Sequence, residues 1–152
     1  MAYVREIVFG GILLFVAALF QNTALLTIAG VKPNVVLVAL VLLAFSASHF
    51  FVYIVFVIGG IIFLRFSPGS DPALLAIAGI ACAVFFVKEW FPWKEMVNCL
   101  AVIILGTLAF YLLTGFSFLW HDPFTIAMEI AYNTVIGAAF YPFFRWIFAF
   151  RS

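Results

Sequence analysis

Val35-Val36-Leu37-Val38-Ala39-Leu40-Val41-Leu42-Leu43-Ala44-Phe45-Ser46-Ala47-Ser48-His49-Phe50-Phe51-Val52-Tyr53-Ile54-Val55-Phe56-Val57-Ile58-Gly59-Gly60-Ile61-Ile62-Phe63-Leu64 is the stretch on which the fold turns. It is apolar for about thirty residues, with one polar break at Ser46-Ala47-Ser48-His49. As a single helix it would be about 45 Å long, well beyond a bilayer hydrocarbon core of about 30 Å. Two helices hinged at Ser46–His49 would each be about 18–24 Å long. That is short, but workable with local thinning of the bilayer or a re-entrant turn.

The composition explains why a bilayer is the right yardstick. Apolar residues make up 68% of the 152 residues and charged residues 9%, against about 45–50% and 25% in soluble domains. So few charges could not cover that much apolar surface in water. Strand-like alternation is absent and the apolar runs are long, so helices are expected, not an outer-membrane barrel. The net charge of +1 and the lack of any basic run offer nothing to nucleic acid.

Outward from the central stretch, Gly30-Val31-Lys32-Pro33-Asn34 is a helix-start signature, with Pro33 near the first helical position. Before it, Arg5 and the apolar run from Ile7 imitate a secretory signal. No soluble domain follows, so the run is read as a retained helix. After it, Ser67-Pro68-Gly69-Ser70-Asp71-Pro72 breaks the chain. The expected spans are 7–29, 34–46, 49–65, 73–88, 96–113 and 124–148, in one polytopic domain. Trp90 and Trp93 stand beside Lys88 and Lys94, and Phe116, Phe118 and Trp120 precede His121-Asp122-Pro123. Such clusters anchor helices at an interface.

With six spans, Arg5, Lys88, Lys94, Arg145 and Arg151 share one side, against Lys32 and Arg65 opposite. Five spans give the same five-to-two bias with the opposite placement of the N-terminus. The excess length of Val35–Leu64 favours six, with both termini cytoplasmic.

Within the last span Glu129, Asn133 and Gly137 are four apart, so on a helix they share a face. An Asp at a helix centre costs about 2.5–3.5 kcal/mol to insert, and Glu129, one turn inside its span, should cost less. The stripe is expected to face protein, with Gly137 admitting a close neighbour. Gln21 and Asn22, in the second half of the first span, lie close to a loop, where amides are more often satisfied by water or helix ends. If Glu129 and Asn133 are structural, Gln21 or Asn22 is the most plausible partner on another helix. Arg65 is expected to snorkel to the interface. Ser46, Ser48 and His49 lack an orienting acid and an oxyanion hole. His121-Asp122 lacks further ligands at metal spacing, and no phosphate-binding glycine loop occurs. Cys82 and Cys99 have no paired spacing and read as packing residues. No catalytic group, metal or cofactor is therefore expected.

Several landmarks in order give a resemblance. Gln21 ends the first span, and Lys32-Pro33-Asn34-Val35-Val36-Leu37 opens the second. Phe56-Val57-Ile58-Gly59-Gly60-Ile61 leads to Ser67-Pro68-Gly69-Ser70, and the last span carries Asn133, Pro142 and Arg145. In this the chain resembles MreD, the small membrane subunit of the bacterial rod-shape machinery. The chain departs from the family where an acidic residue often follows the third-span glycine; here that place holds Phe63, Leu64 and Arg65. The resemblance implies an all-α, six-helix integral membrane bundle with short second and third helices, similar to the energy-coupling-factor S-component fold. It implies the bacterial inner membrane. Its implied partners are an MreC-like protein, a RodA-type glycosyltransferase and a class B penicillin-binding protein.

Two functions follow as expectations: a non-enzymatic scaffold for peptidoglycan synthesis, or a small-molecule-binding or transport subunit like the S-components. A scaffold should have its interior filled and its polar groups paired. A binding subunit should show a cavity of roughly 300 Å³ or more near Glu129, Asn133 and Gln21.

Overall fold

The computed structural model describes residues 2–23, 25–28, 30–64, 71–90 and 92–149. Seven helices occur in them: α1 (Ala2–Asn22), α2 (Val35–Ser46), α3 (Phe50–Leu64), α4 (Asp71–Val87), α5 (Glu95–Thr114), α6 (Phe118–His121) and α7 (Pro123–Ala149). Among the described residues there is no strand. An isolated bridge between Ile28 and Val31 closes a turn in which Gly30 takes a φ of 80°, a conformation that favours glycine. Arg65 and Arg151 lie outside the described residues.

The apolar run Val35–Leu64 is two helices, parted at Ala47-Ser48-His49. α2 packs against α1, α3, α4, α5 and α7 and buries the nine consecutive residues Val36–Ala44. A helix apolar on every face needs neighbours on every face, and the other helices supply them. α1 packs on α3 as well as α2, and α5 lies between α4 and α7.

The first helix differs from expectation at both ends, starting at Ala2 rather than residue 7, and one further short helix is present. The first helix ends at Asn22, not near residue 29, because the turn closed by Ile28 and Val31 returns the chain toward the start of α2. The short α6 was not legible as a helix: four residues carry too little periodicity to register.

Chain ends and turns collect at two poles. At one, Glu6 of α1 accepts from both the backbone N–H and the hydroxyl of Ser48, at 3.1 and 3.0 Å. Its carboxylate thereby sits at the N-terminus of α3, where the helix dipole favours an anion. The Lys88 ammonium donates to the Ala44 carbonyl at 2.7 Å and lies over the Phe85 ring. Arg145 pairs with Glu95 at 2.9 Å. The opposite pole holds the end of α1, the start of α2, α6 and the start of α7.

The exterior is apolar and the interior holds polar groups. Phe51, Leu75, Phe86 and Trp146 are exposed, while Glu6, Asn34, Thr107, Glu129 and Asn133 are buried. α1, over Val4–Asn22, and α5 are each long and apolar enough to cross a membrane.

Close helix approach depends on glycine at two places. A Cβ on Gly137 would fall on the Ile103 side chain of α5, and one on Gly10 on the Phe56 ring of α3. Next to Gly10, Gly11 faces open space. Gly10→Ala should therefore destabilise the protein by about 1–3 kcal/mol, the usual overpacking cost. Gly11→Ala should be neutral or stabilising by up to about 1 kcal/mol, the helix-propensity gain. Thermal unfolding of the two variants in detergent checks both signs.

Candidate functional site

The polar residues of the last helix gather at the start of α2. The first backbone N–H groups of any helix lack partners within it, and here they lie inside protein. Asn34 is the N-cap, its side-chain oxygen accepting from the N–H of Leu37 at 3.1 Å. The N–H of Asn34 donates to Oδ1 of Asn133 at 2.9 Å, and that of Val35 to Oε1 of Gln21 at 2.7 Å. Three amide side chains, from α1, α7 and the cap itself, thus hold three donors of one helix end, the N–H groups of Asn34, Val35 and Leu37.

Asn133 is fully buried and occupied on both sides of its amide. Its Nδ2 donates to the hydroxyl of Thr107 at 3.0 Å, and that hydroxyl donates to the Ile103 carbonyl at 2.9 Å. The network runs from α2 through α7 to α5. One turn earlier on α7, Glu129 accepts a short hydrogen bond from the Tyr111 hydroxyl of α5. Gln21 is thus satisfied by a helix end, as its place near a loop suggests, and the alternative pairing with the last helix does not occur. Neither Glu129 nor Asn133 bonds to Gln21 or Asn22. Gln21 and Asn133 meet at α2 without touching each other, because each is drawn to a backbone donor. Tyr111 and Thr107 were not singled out in the sequence: a hydroxyl in an apolar run signals nothing until its neighbour is known.

A cavity of about 260 Å³ opens beside this network. Gln21, Asn22, Lys32, Asn34 and Glu129 supply its polar lining, and Leu74, Ile77 and Phe110 are among its apolar walls. That places it just below the range of about 300–1,000 Å³ usual for small-molecule sites.

The other candidate groups are spread out. Ser46 donates to the Leu42 carbonyl and Ser48 to Glu6. Asp122 accepts from the N–H and hydroxyl of Thr125 at the start of α7, and these bonds hold its carboxyl below the ordinary carboxylate range. Nδ1 of His121 meets the Ser117 carbonyl at 2.8 Å. Among the described residues no three His, Cys, Asp or Glu side chains are grouped to hold a metal. Both cysteines are free thiols, Cys99 buried and Cys82 half-buried.

Comparison with protein-family models, with curated proteins and with solved structures finds no match to this chain.

The geometry makes Asn133 and Gln21 structural. Each should cost about 1–3 kcal/mol when replaced by Leu, because a buried backbone donor that cannot move is left without an acceptor. That exceeds the average of about 0.6 kcal/mol for hydrogen bonds between membrane helices, whose partners can relax. Asn22→Leu, one residue from Gln21 but exposed, should stay within about 0.5 kcal/mol of the parent. Unfolding midpoints of the three variants give the comparison.

Proposed function

We propose that this chain is a non-enzymatic, multi-pass subunit of the bacterial inner membrane. It holds the partners of the rod-shape machinery together, with six helices spanning the bilayer and both termini cytoplasmic. The observation that carries this is the inverted distribution of polarity. Large apolar side chains face outward around helices whose interior polar groups, the Oδ1 of Asn98 apart, are hydrogen-bonded, as lipid demands and water does not. Exposed tryptophans at both poles, Trp90 and Trp93 at one and Trp120 at the other, suit a pair of bilayer interfaces. Lys88 and the Glu95–Arg145 pair lie at the pole with the N-terminus, the side given the positive excess.

The order of landmarks shared with MreD supports the particular machinery. Gln21, Asn34 and Asn133, three of those landmarks, are the residues that meet at the start of α2. A shared need to anchor a buried second helix is a physical reason for the three to occur together. The partners proposed are an MreC-like protein, a RodA-type glycosyltransferase and a class B penicillin-binding protein. A small-molecule-binding subunit is the second reading, favoured by the cavity beside Glu129.

Purification of the tagged full chain from its own membranes in mild detergent tests the choice. The scaffold reading expects the MreC-like protein and wall-synthesis enzymes to copurify. Recovery with a nucleotide-hydrolysing transport module, or with no membrane partner, would contradict it.

A further inference from the structure

The cavity beside Glu129 carries two opposite charges on residues of different exposure. Glu129 is only 7% exposed, Lys32 is half-buried and Asn22 is exposed. The carboxylate therefore belongs to the more enclosed residue and the ammonium to the more exposed one. The side-chain oxygens of Gln21 and Asn34 are engaged by the start of α2 and stiffen one wall. Glu129 is fixed by Tyr111, and Lys32 forms no ion pair among the described residues. The apolar side, with Leu74, Ile77 and Phe110, offers nothing to a charge but fits methylene groups. A buried carboxylate stripped of water gains most from a donor that brings its own positive charge.

We propose that this cavity binds a compact zwitterion, with a primary ammonium on Glu129 and an anionic group on Lys32. About 260 Å³ suits a molecule of amino-acid or phosphoethanolamine size. The inference rests on the cavity being occupied, the premise of the second reading, and not on the scaffold partners. Two sources share this chemistry: the headgroup of an ethanolamine phospholipid and a free small zwitterion. A trimethylammonium headgroup is excluded, since it has no N–H for the carboxylate and a bulkier end beside the more enclosed residue.

The test is thermal unfolding of the full chain in mild detergent, titrated separately with dihexanoyl phosphatidylethanolamine, dihexanoyl phosphatidylcholine and free phosphoethanolamine. The ethanolamine lipid should raise the midpoint saturably and the choline lipid should not. A matching shift from free phosphoethanolamine would identify a soluble source, and a shift from the lipid alone a headgroup; either supports the site. Glu129→Gln, which keeps the shape and an acceptor for Tyr111, should raise the half-saturating concentration about tenfold or more, as should Lys32→Gln. Lys32 is the more exposed of the two, so its variant keeps the test open should Glu129→Gln unfold. No shift with either ethanolamine compound, equal shifts from the two lipids, or a shift undiminished in both variants would overturn the proposal.

Discussion

A helix buried on all sides must satisfy its backbone ends with side chains, and α2 sets that condition for the whole chain. Its start takes acceptors from Asn34, Gln21 and Asn133. Its last turn is closed by the Ser46 hydroxyl on Leu42, the Ala47 N–H on Leu43 and the Lys88 ammonium on Ala44. Each end draws on other helices: α1 and α7 at the start, the residue after α4 at the finish. An orphan buried donor or acceptor here would cost about 1–3 kcal/mol. Gln21, Asn34, Asn133 and Lys88 are thus placed by one helix's needs.

That placement gives different main partners to two residues which share a face of α7. Asn133 is spent on the α2 backbone and on Thr107, with both ends of its amide engaged. Glu129, one turn away, is held by Tyr111 and borders the cavity. Equal spacing along a helix gave them a common stripe but not a common role. The neighbour opposite each decides: the backbone of α2 for one, open volume for the other.

The division of Val35–Leu64 was legible because length disfavours one helix, and Ser46–His49 was the sole polar interruption. The stripe of Glu129, Asn133 and Gly137 was legible from a period of four, and all three are buried in the structure. What periodicity could not give was the partner. Gln21 was a plausible partner for the last helix only as a polar group on another helix, yet the claim on it and on Asn133 came from backbone groups, which are identical at every position and leave no trace in sequence. Glu6 shows the same limit: beside Arg5 it resembles an ordinary charged terminus, and only the fold brings it to Ser48. The cavity was legible as a neighbourhood, since Gln21 and Glu129 do border it, but Lys32 and Phe110 join it through tertiary packing alone.

The central claim is that side chains from other helices close the buried start of α2. Amide hydrogen exchange on the full chain in detergent measures this directly. The N–H groups of Asn34 and Val35, which would exchange quickly at an ordinary solvated helix start, should be as slow as those in the middle of α2. In Asn133→Leu the Asn34 amide should become fast while Leu40 to Ala44 stay protected. Rapid exchange of Asn34 and Val35 in the parent protein would contradict the claim.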